Sequence, residues 1–134
     1  MKGAQILLLS LLFFSLVASA ELTPGQEASL LEAIDPRVWG SFDANSYPWL
    51  NTMDFGWVYF EPLPGTGTFW MWNSDLGWMY SSKELFPEAY LSQGGFWAGL
   101  PGWVIFDQTD FRRHKFFVKS SKNWIILPRS DLDH

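Results

Sequence analysis

Trp49-Leu50-Asn51-Thr52-Met53-Asp54-Phe55-Gly56-Trp57-Val58-Tyr59 returns 21 positions later as Trp70-Met71-Trp72-Asn73-Ser74-Asp75-Leu76-Gly77-Trp78-Met79-Tyr80. Trp49/Trp70, Asp54/Asp75, Gly56/Gly77, Trp57/Trp78 and Tyr59/Tyr80 are identical pairs. A repeat of about 20 residues has the length of one β-hairpin with its connection. Each copy places two aromatic runs around an Asp-x-Gly corner. The glycine supplies the positive φ that a three-residue hairpin loop requires. Alternation along a strand then sets Trp57 and Tyr59 on one face, and Val58 and Phe60 on the other. Trp78 shares a face with Tyr80, and Trp70 shares one with Trp72.

Looser copies follow. Phe86-Pro87 matches Tyr47-Pro48, and Gly95-Phe96 matches Gly56-Trp57. This predicts a third hairpin over residues 90–99, with Gln93-Gly94-Gly95 at its tip. Gly102-Trp103-Val104-Ile105-Phe106 repeats the Gly56-Trp57-Val58-Tyr59-Phe60 pattern and reads as a further strand. Residues 111–119 and 123–127 read as final strands joined through Ser120-Ser121-Lys122. Residues 61–67, Glu-Pro-Leu-Pro-Gly-Thr-Gly, read as a turn-rich connector. Eight or nine short, evenly spaced strands argue an all-β fold. Hairpins adjacent in sequence are usually neighbours in space. The expected architecture is an antiparallel meander, or a short solenoid, of aromatic-rich hairpins.

Ahead of the repeats, Thr23-Pro24-Gly25-Gln26 carries a helix start: Thr23 to cap, Pro24 at the first turn and Gln26 to close a capping box. Leu30, Leu31 and Ile34 fall at helical spacing, and Asp35-Pro36 stops the pattern. One short N-terminal helix, docked on the β part, is expected.

Residues 1–20 read as an export signal. Lys2 precedes an apolar stretch over residues 6–17, and Ala18-Ser19-Ala20 supplies a small-residue cleavage site before Glu21. The stretch falls short of the ~20 residues that span a bilayer. The expected organisation is a signal peptide at 1–20, helix and connector at 21–46, the repeat domain at 47–127 and a flexible tail at 128–134. The expected location is bacterial, exported to the periplasm or beyond, with no stable membrane span after cleavage. Removing 20 of the 134 residues leaves 114, enough for one small domain. There is no cysteine, so no disulfide supports the core. Aromatic burial must carry it.

Charge is divided. Residues 21–110 hold 12 acids and 2 bases, whereas residues 111–134 hold 6 bases and 2 acids. Such an acidic chain is a poor candidate for nucleic-acid binding. Arg112-Arg113-His114-Lys115, with Lys119 and Lys122, reads as a solvated edge guarded against sheet pairing, or as a contact for an anionic surface or partner.

No cysteine nucleophile, Gly-x-Ser-x-Gly elbow, phosphate loop or His-Glu-x-x-His motif is present. No catalytic residue, metal ligand or cofactor is expected. Asp54 and Asp75 are equivalent in the repeat, which argues for turn-making by capping local N–H groups rather than for a catalytic pair. His114 lies among cations that disfavour its protonation. The aromatic set is what remains. Most rings are expected in the core. The candidates for exposed platforms are Trp49, Trp57, Trp70, Trp72 and Trp78, which would stack on sugars or enclose a quaternary ammonium group.

The Gly56-Trp57-Val58-Tyr59 and Gly77-Trp78-Met79-Tyr80 hairpins broadly resemble the repeats of choline-binding and glucan-binding cell-wall modules. Together with Tyr47-Pro48, Phe86-Pro87 and Leu76-Gly77-Trp78, residues 47–106 more closely resemble aromatic Gly-Trp repeats of exported bacterial proteins of unassigned function. The second resemblance implies no activity. The first implies an aromatic ligand site, without the Trp-Tyr-Tyr run that closes a choline-binding repeat. Two expectations follow: an exported non-catalytic module that binds envelope glycan, or a structural or protein-interaction domain whose aromatics are wholly buried. Its partner would be an envelope glycan or another envelope protein.

Overall fold

The computed structural model describes residues 22–92 and 102–132. The expected signal peptide, and the tip and returning arm of the expected third hairpin, lie outside the described residues. Two helices come first, α1 (Pro24–Ala33) and α2 (Pro36–Trp39). Nine strands follow: β1 (Phe42–Asp43), β2 (Trp49–Thr52), β3 (Gly56–Leu63), β4 (Thr68–Asn73), β5 (Gly77–Ser82), β6 (Glu88–Leu91), β7 (Gly102–Phe106), β8 (Arg113–Val118) and β9 (Asn123–Pro128). They form one antiparallel sheet in sequence order, with β1 and β9 as its edges. The meander is therefore the architecture, and the solenoid is not. The hairpins share one ladder rather than stacking as separate units.

The start of α1 is as its sequence reads. Thr23 Oγ1 accepts from Gln26 N–H, and Gln26 Oε1 accepts from Thr23 N–H. Leu30, Ala33 and Ile34 are buried, but Leu31 is exposed. The helix rolls onto Ala33 because the small side chain allows close approach to the sheet. Lys83 Nζ donates to the Leu31 carbonyl, and Gly65 N–H donates to Glu32 Oε1, tying the helix to the β3–β4 and β5–β6 connections.

The sequence reading missed α2 and β1 within residues 34–46. Asp35 Oδ1 caps Arg37 N–H, Pro36 occupies the first turn, and Gly40 leaves the helix at φ 75°. A four-residue helix is too short to show a periodicity. Its purpose is visible only in three dimensions, where it inserts Trp39 into the core. The expected connector over residues 61–67 is also shorter than read. Glu61, Pro62 and Leu63 belong to β3, and only residues 64–67 turn. Pro62 fits because its nitrogen faces the side where β2 has already ended. The matched prolines 48 and 87 both follow cis peptide bonds.

The sheet curls over one face. Leu50, Val58, Phe60, Phe69, Met71, Met79, Ala89, Leu91, Val104, Phe106, Phe116 and Val118 line it with Leu30, Ile34 and Trp39. Phe55, on the β2–β3 turn, reaches Phe106 on β7 at 4.9 Å between ring centroids. The right-handed coil of the strands brings an early turn onto a late strand, so an open sheet encloses a core.

Candidate functional site

The other face of the sheet is where the repeat leads. Seven of the eight described Trp residues stand on it, on β2, β3, β4, β5, β7 and β9. Register puts their rings in rows across the strands. Trp49 faces Tyr59, Tyr59 faces Trp72, and Trp72 faces Trp78. One step along, Trp70 faces Tyr80, Tyr80 faces Tyr90, and Tyr90 faces Trp103. In a separate row nearer the edge, Glu88 faces Ile105, Ile105 faces Phe117, and Phe117 faces Trp124. Period-two alternation in every strand makes this arrangement unavoidable once the inner face is fixed.

The rings brace one another edge to face. Trp49 lies 5.4 Å from Tyr59 and 6.1 Å from Trp72, and Tyr59 lies 6.3 Å from Trp78, at 71° to 88° between planes. Trp70 meets Trp78 at 6.4 Å and Tyr80 at 5.2 Å. Such pairs place a ring's positive edge on its neighbour's negative face. Trp49, Tyr59, Trp72 and Trp78 together line a shallow dish of about 240 Å³. Its walls are almost wholly apolar.

All five platform candidates are on this face. Trp49, Trp72 and Trp78 share the dish, Trp70 packs against its rim through Trp78, and Trp57 stands on the same face beside Asn51. Trp49, Trp57 and Trp78 are exposed, with Trp57 at 45%, while Trp70 and Trp72 are half-buried. The sequence reading missed Tyr59 as a dish wall, and Tyr80, Tyr90, Trp103, Phe117 and Trp124 as the rest of the ladder. Strand parity carried from the first hairpin to the last would have found them. The expectation that most rings belong to the core is corrected for Trp. Trp39 alone is buried among the described Trp residues, and phenylalanine fills the interior.

Opposite the aromatic face, under the turns, lies a buried polar cluster. Here Asp54 and Asp75 do not cap their own turns. Thr52 Oγ1 accepts from Phe55 N–H, and Asn73 Oδ1 accepts from Asp75 and Leu76 N–H. Thr52 and Asn73 are the last inward-facing residues before each turn, so their side chains lie under the loop. The aspartates reach across the fold instead. Asp54 accepts from Gln108 Nε2 at 3.2 Å; Asp75 Oδ2 accepts from Ser130 N–H at 3.0 Å and meets His114 Nε2 at 2.8 Å. Arg129 donates to the carbonyls of Met53 and Phe111 and pairs with Asp131 at 2.7 Å. The chain after Pro128, read as a loose tail, is thus anchored through a buried Arg129 as far as Leu132.

Burial holds the His114 imidazole below its usual range against the pull of Asp75. Its cationic sequence neighbours are not the main cause. Burial also pushes Asp75 upward, but hydrogen bonds from Ser130 and His114 outweigh it and its carboxyl ends below the usual value. The His114 side chain is 0% exposed, so the pair is closed to a substrate. It acts as a structural clasp. A histidine with a lowered folded pKa contributes stability above its unfolded value of about 6.5 that is lost as pH falls. Asp75 extends the loss to lower pH with the same sign. The urea midpoint is therefore expected to fall from pH 7.5 to pH 5, and His114→Gln is expected to flatten that dependence. An unchanged pH slope in the variant would remove His114 as its source.

Among the described residues, no group of three or more His, Cys, Asp or Glu side chains is placed to hold a metal ion, and no helix is long and apolar enough to cross a membrane. No family model, curated protein or solved structure matches the chain.

Proposed function

We propose that this chain is an exported, non-catalytic module that binds cell-envelope glycan through its aromatic face. The dish of Trp49, Tyr59, Trp72 and Trp78 carries the reading. Apolar sugar faces and quaternary ammonium groups both associate with such rings. The short apolar stretch and Ala18-Ser19-Ala20 support export. The chain's acidity speaks against nucleic acid as a ligand.

A protein-interaction role is the second reading, and the length of the exposed ladder favours it. Solvent-facing aromatic surface this continuous is unusual on a monomer and marks contact sites. Wholly buried aromatics would require a second surface over this face, since Trp57 and Trp124 are 45% and 54% exposed.

Trp fluorescence titrated with peptidoglycan fragments, neutral glucans and choline analogues tests the first reading. Trp78→Ala is expected to weaken binding by ~1–3 kcal/mol, the scale of stacking on a flat ring. Its melting temperature should change far less than for a core truncation. No saturable change with any of these ligands would end the glycan reading and leave protein contact.

A further inference from the structure

Two rows of rings on the outer face join into one track. The dish row runs from Trp49 on β2 to Trp78 on β5, and the next row runs from Trp70 on β4 to Trp103 on β7. The rows overlap on β4 and β5, where Trp70 meets Trp78 at 6.4 Å. Every strand from β2 to β7 therefore adds at least one ring between Trp49 and Trp103. Neighbouring strands lie about 4.8 Å apart, so the track is about 24 Å long. Both of its ends are defined. The two residues of β1 pair with Asn51 and Thr52, so β1 places no residue opposite Trp49. At the far end Lys119 donates its backbone N–H to the Trp103 carbonyl, and its Nζ pairs with Glu88 at 2.6 Å. That ion pair spans β7 from β6 to β8 and closes the track.

The charges along the track share one sign. The charged side chains of strands β1–β7 are all carboxylates: Asp43 opposite Asn51, Glu61 opposite Trp70 and Glu88 opposite Ile105. Lys83, on the β5–β6 turn, is directed away to the Leu31 carbonyl. A ligand bearing carboxylate, phosphate or sulfate groups would meet like charge along this face, which is costly. Asn51 and Glu61 are exposed beside the rings. Neutral hydroxyl groups can bond to both, and a carboxylate is a strong acceptor for them.

We propose that the ligand is an uncharged, extended polysaccharide chain that lies across the strands from Trp49 to Trp103, rather than a single sugar or a compact cation held in the dish. The proposal rests on the glycan reading above and adds the ligand's charge, shape and direction. Each unit of an extended, equatorially linked pyranose chain advances by about one strand spacing, so successive units meet successive strands and the track holds about six. The C–H faces of such units are the apolar surfaces that aromatic rings stack against, and the hydroxyl groups at their rims point sideways to Asn51 and Glu61. A quaternary ammonium group, by contrast, fills the dish and leaves Tyr80, Tyr90 and Trp103 unused.

Calorimetric titration of protein expressed from the full chain tests this with β-1,4-linked oligomers of glucose and of N-acetylglucosamine, two and six units long. A six-unit β-1,4-mannuronate chain is the anionic control. At least one neutral hexamer is expected to bind about tenfold or more tightly than its dimer, the scale of one further stacked ring. The mannuronate chain is expected to bind more weakly than that hexamer. Trp103→Ala is expected to cost the hexamer about tenfold and the dimer far less, because the dish at the other end holds a two-unit ligand. If Trp103→Ala melts early, Trp103→Leu decides in its place, since leucine keeps apolar bulk and loses the flat ring. Equal affinity for dimer and hexamer overturns the proposal, as does a hexamer indifferent to Trp103 or a mannuronate chain that binds as tightly. Each of these leaves the glycan reading standing, as does binding of peptidoglycan fragments when both neutral hexamers fail. Absence of binding by every glycan overturns both and leaves protein contact.

Discussion

Trp39→Ala is expected to lose about 3–5 kcal/mol of folding stability, the range for truncating a fully packed aromatic ring. Trp39 is 4% exposed. It stacks on Phe86 at 4.5 Å and meets Phe69 at 5.8 Å, Phe55 at 6.2 Å and Phe60 at 6.3 Å. These partners come from β3, β4 and two separate turns, so the cavity would open where the curled sheet meets its helical cover. A small domain holds about 5–15 kcal/mol in total, so one ring commits a large share of it. Trp39→Phe separates volume from chemistry. Trp39 Nε1 is buried without a hydrogen-bond partner, and phenylalanine removes that unpaired donor with only part of the volume. Its cost is expected to be less than half that of alanine. Urea denaturation measures both. A Trp39→Ala loss below about 1 kcal/mol would mean that α2 is not part of the cooperative core.

Gly56→Val is expected to cost about 2–5 kcal/mol, from two sources. Gly56 has φ 74°, where a β-branched residue is strained by about 1–3 kcal/mol. A Cβ there would also collide with the Asp131 carboxylate and lie 3.1 Å from Arg129 Nη2. The side chain must displace the ion pair that anchors the end of the chain, and a buried guanidinium without its carboxylate is costly. Gly77 has φ 80°, so Gly77→Val should be destabilised by strain as well. Relief of part of the Gly56→Val loss by Asp131→Ala would isolate the clash from the backbone strain. Denaturant midpoints equal to wild type in both glycine variants would refute the hairpin register.

Much of the fold was legible because local rules sufficed. The Asp-x-Gly corners, the positive-φ glycines and the Thr23–Gln26 capping box are written in spans of three or four residues. Alternation in β3, β4 and β5 likewise put Trp57, Trp70, Trp72 and Trp78 on one face before any contact was known. What alternation left open was which face is covered. Val58, Phe60, Met71 and Met79 are as apolar as the Trp residues opposite them. The choice rests on α1 and α2, which have room for one face only.

The clasp under the turns was not legible for a related reason. Asp75, His114 and Arg129 are separated by dozens of residues, and each has an ordinary local reading as turn, basic run or tail. They meet because the coil of the sheet carries the β4–β5 turn onto β8 and the chain beyond β9. The sequence by itself determined the longer strands of the repeat, their corners, the start of α1 and the two-sided aromatic pattern, since these follow from backbone sterics and period-two geometry. The tertiary structure alone decided which side became core, which ring plugs it and which charges pair in its interior. Those outcomes depend on how far the twist accumulates over nine strands, and no short window of sequence encodes that sum.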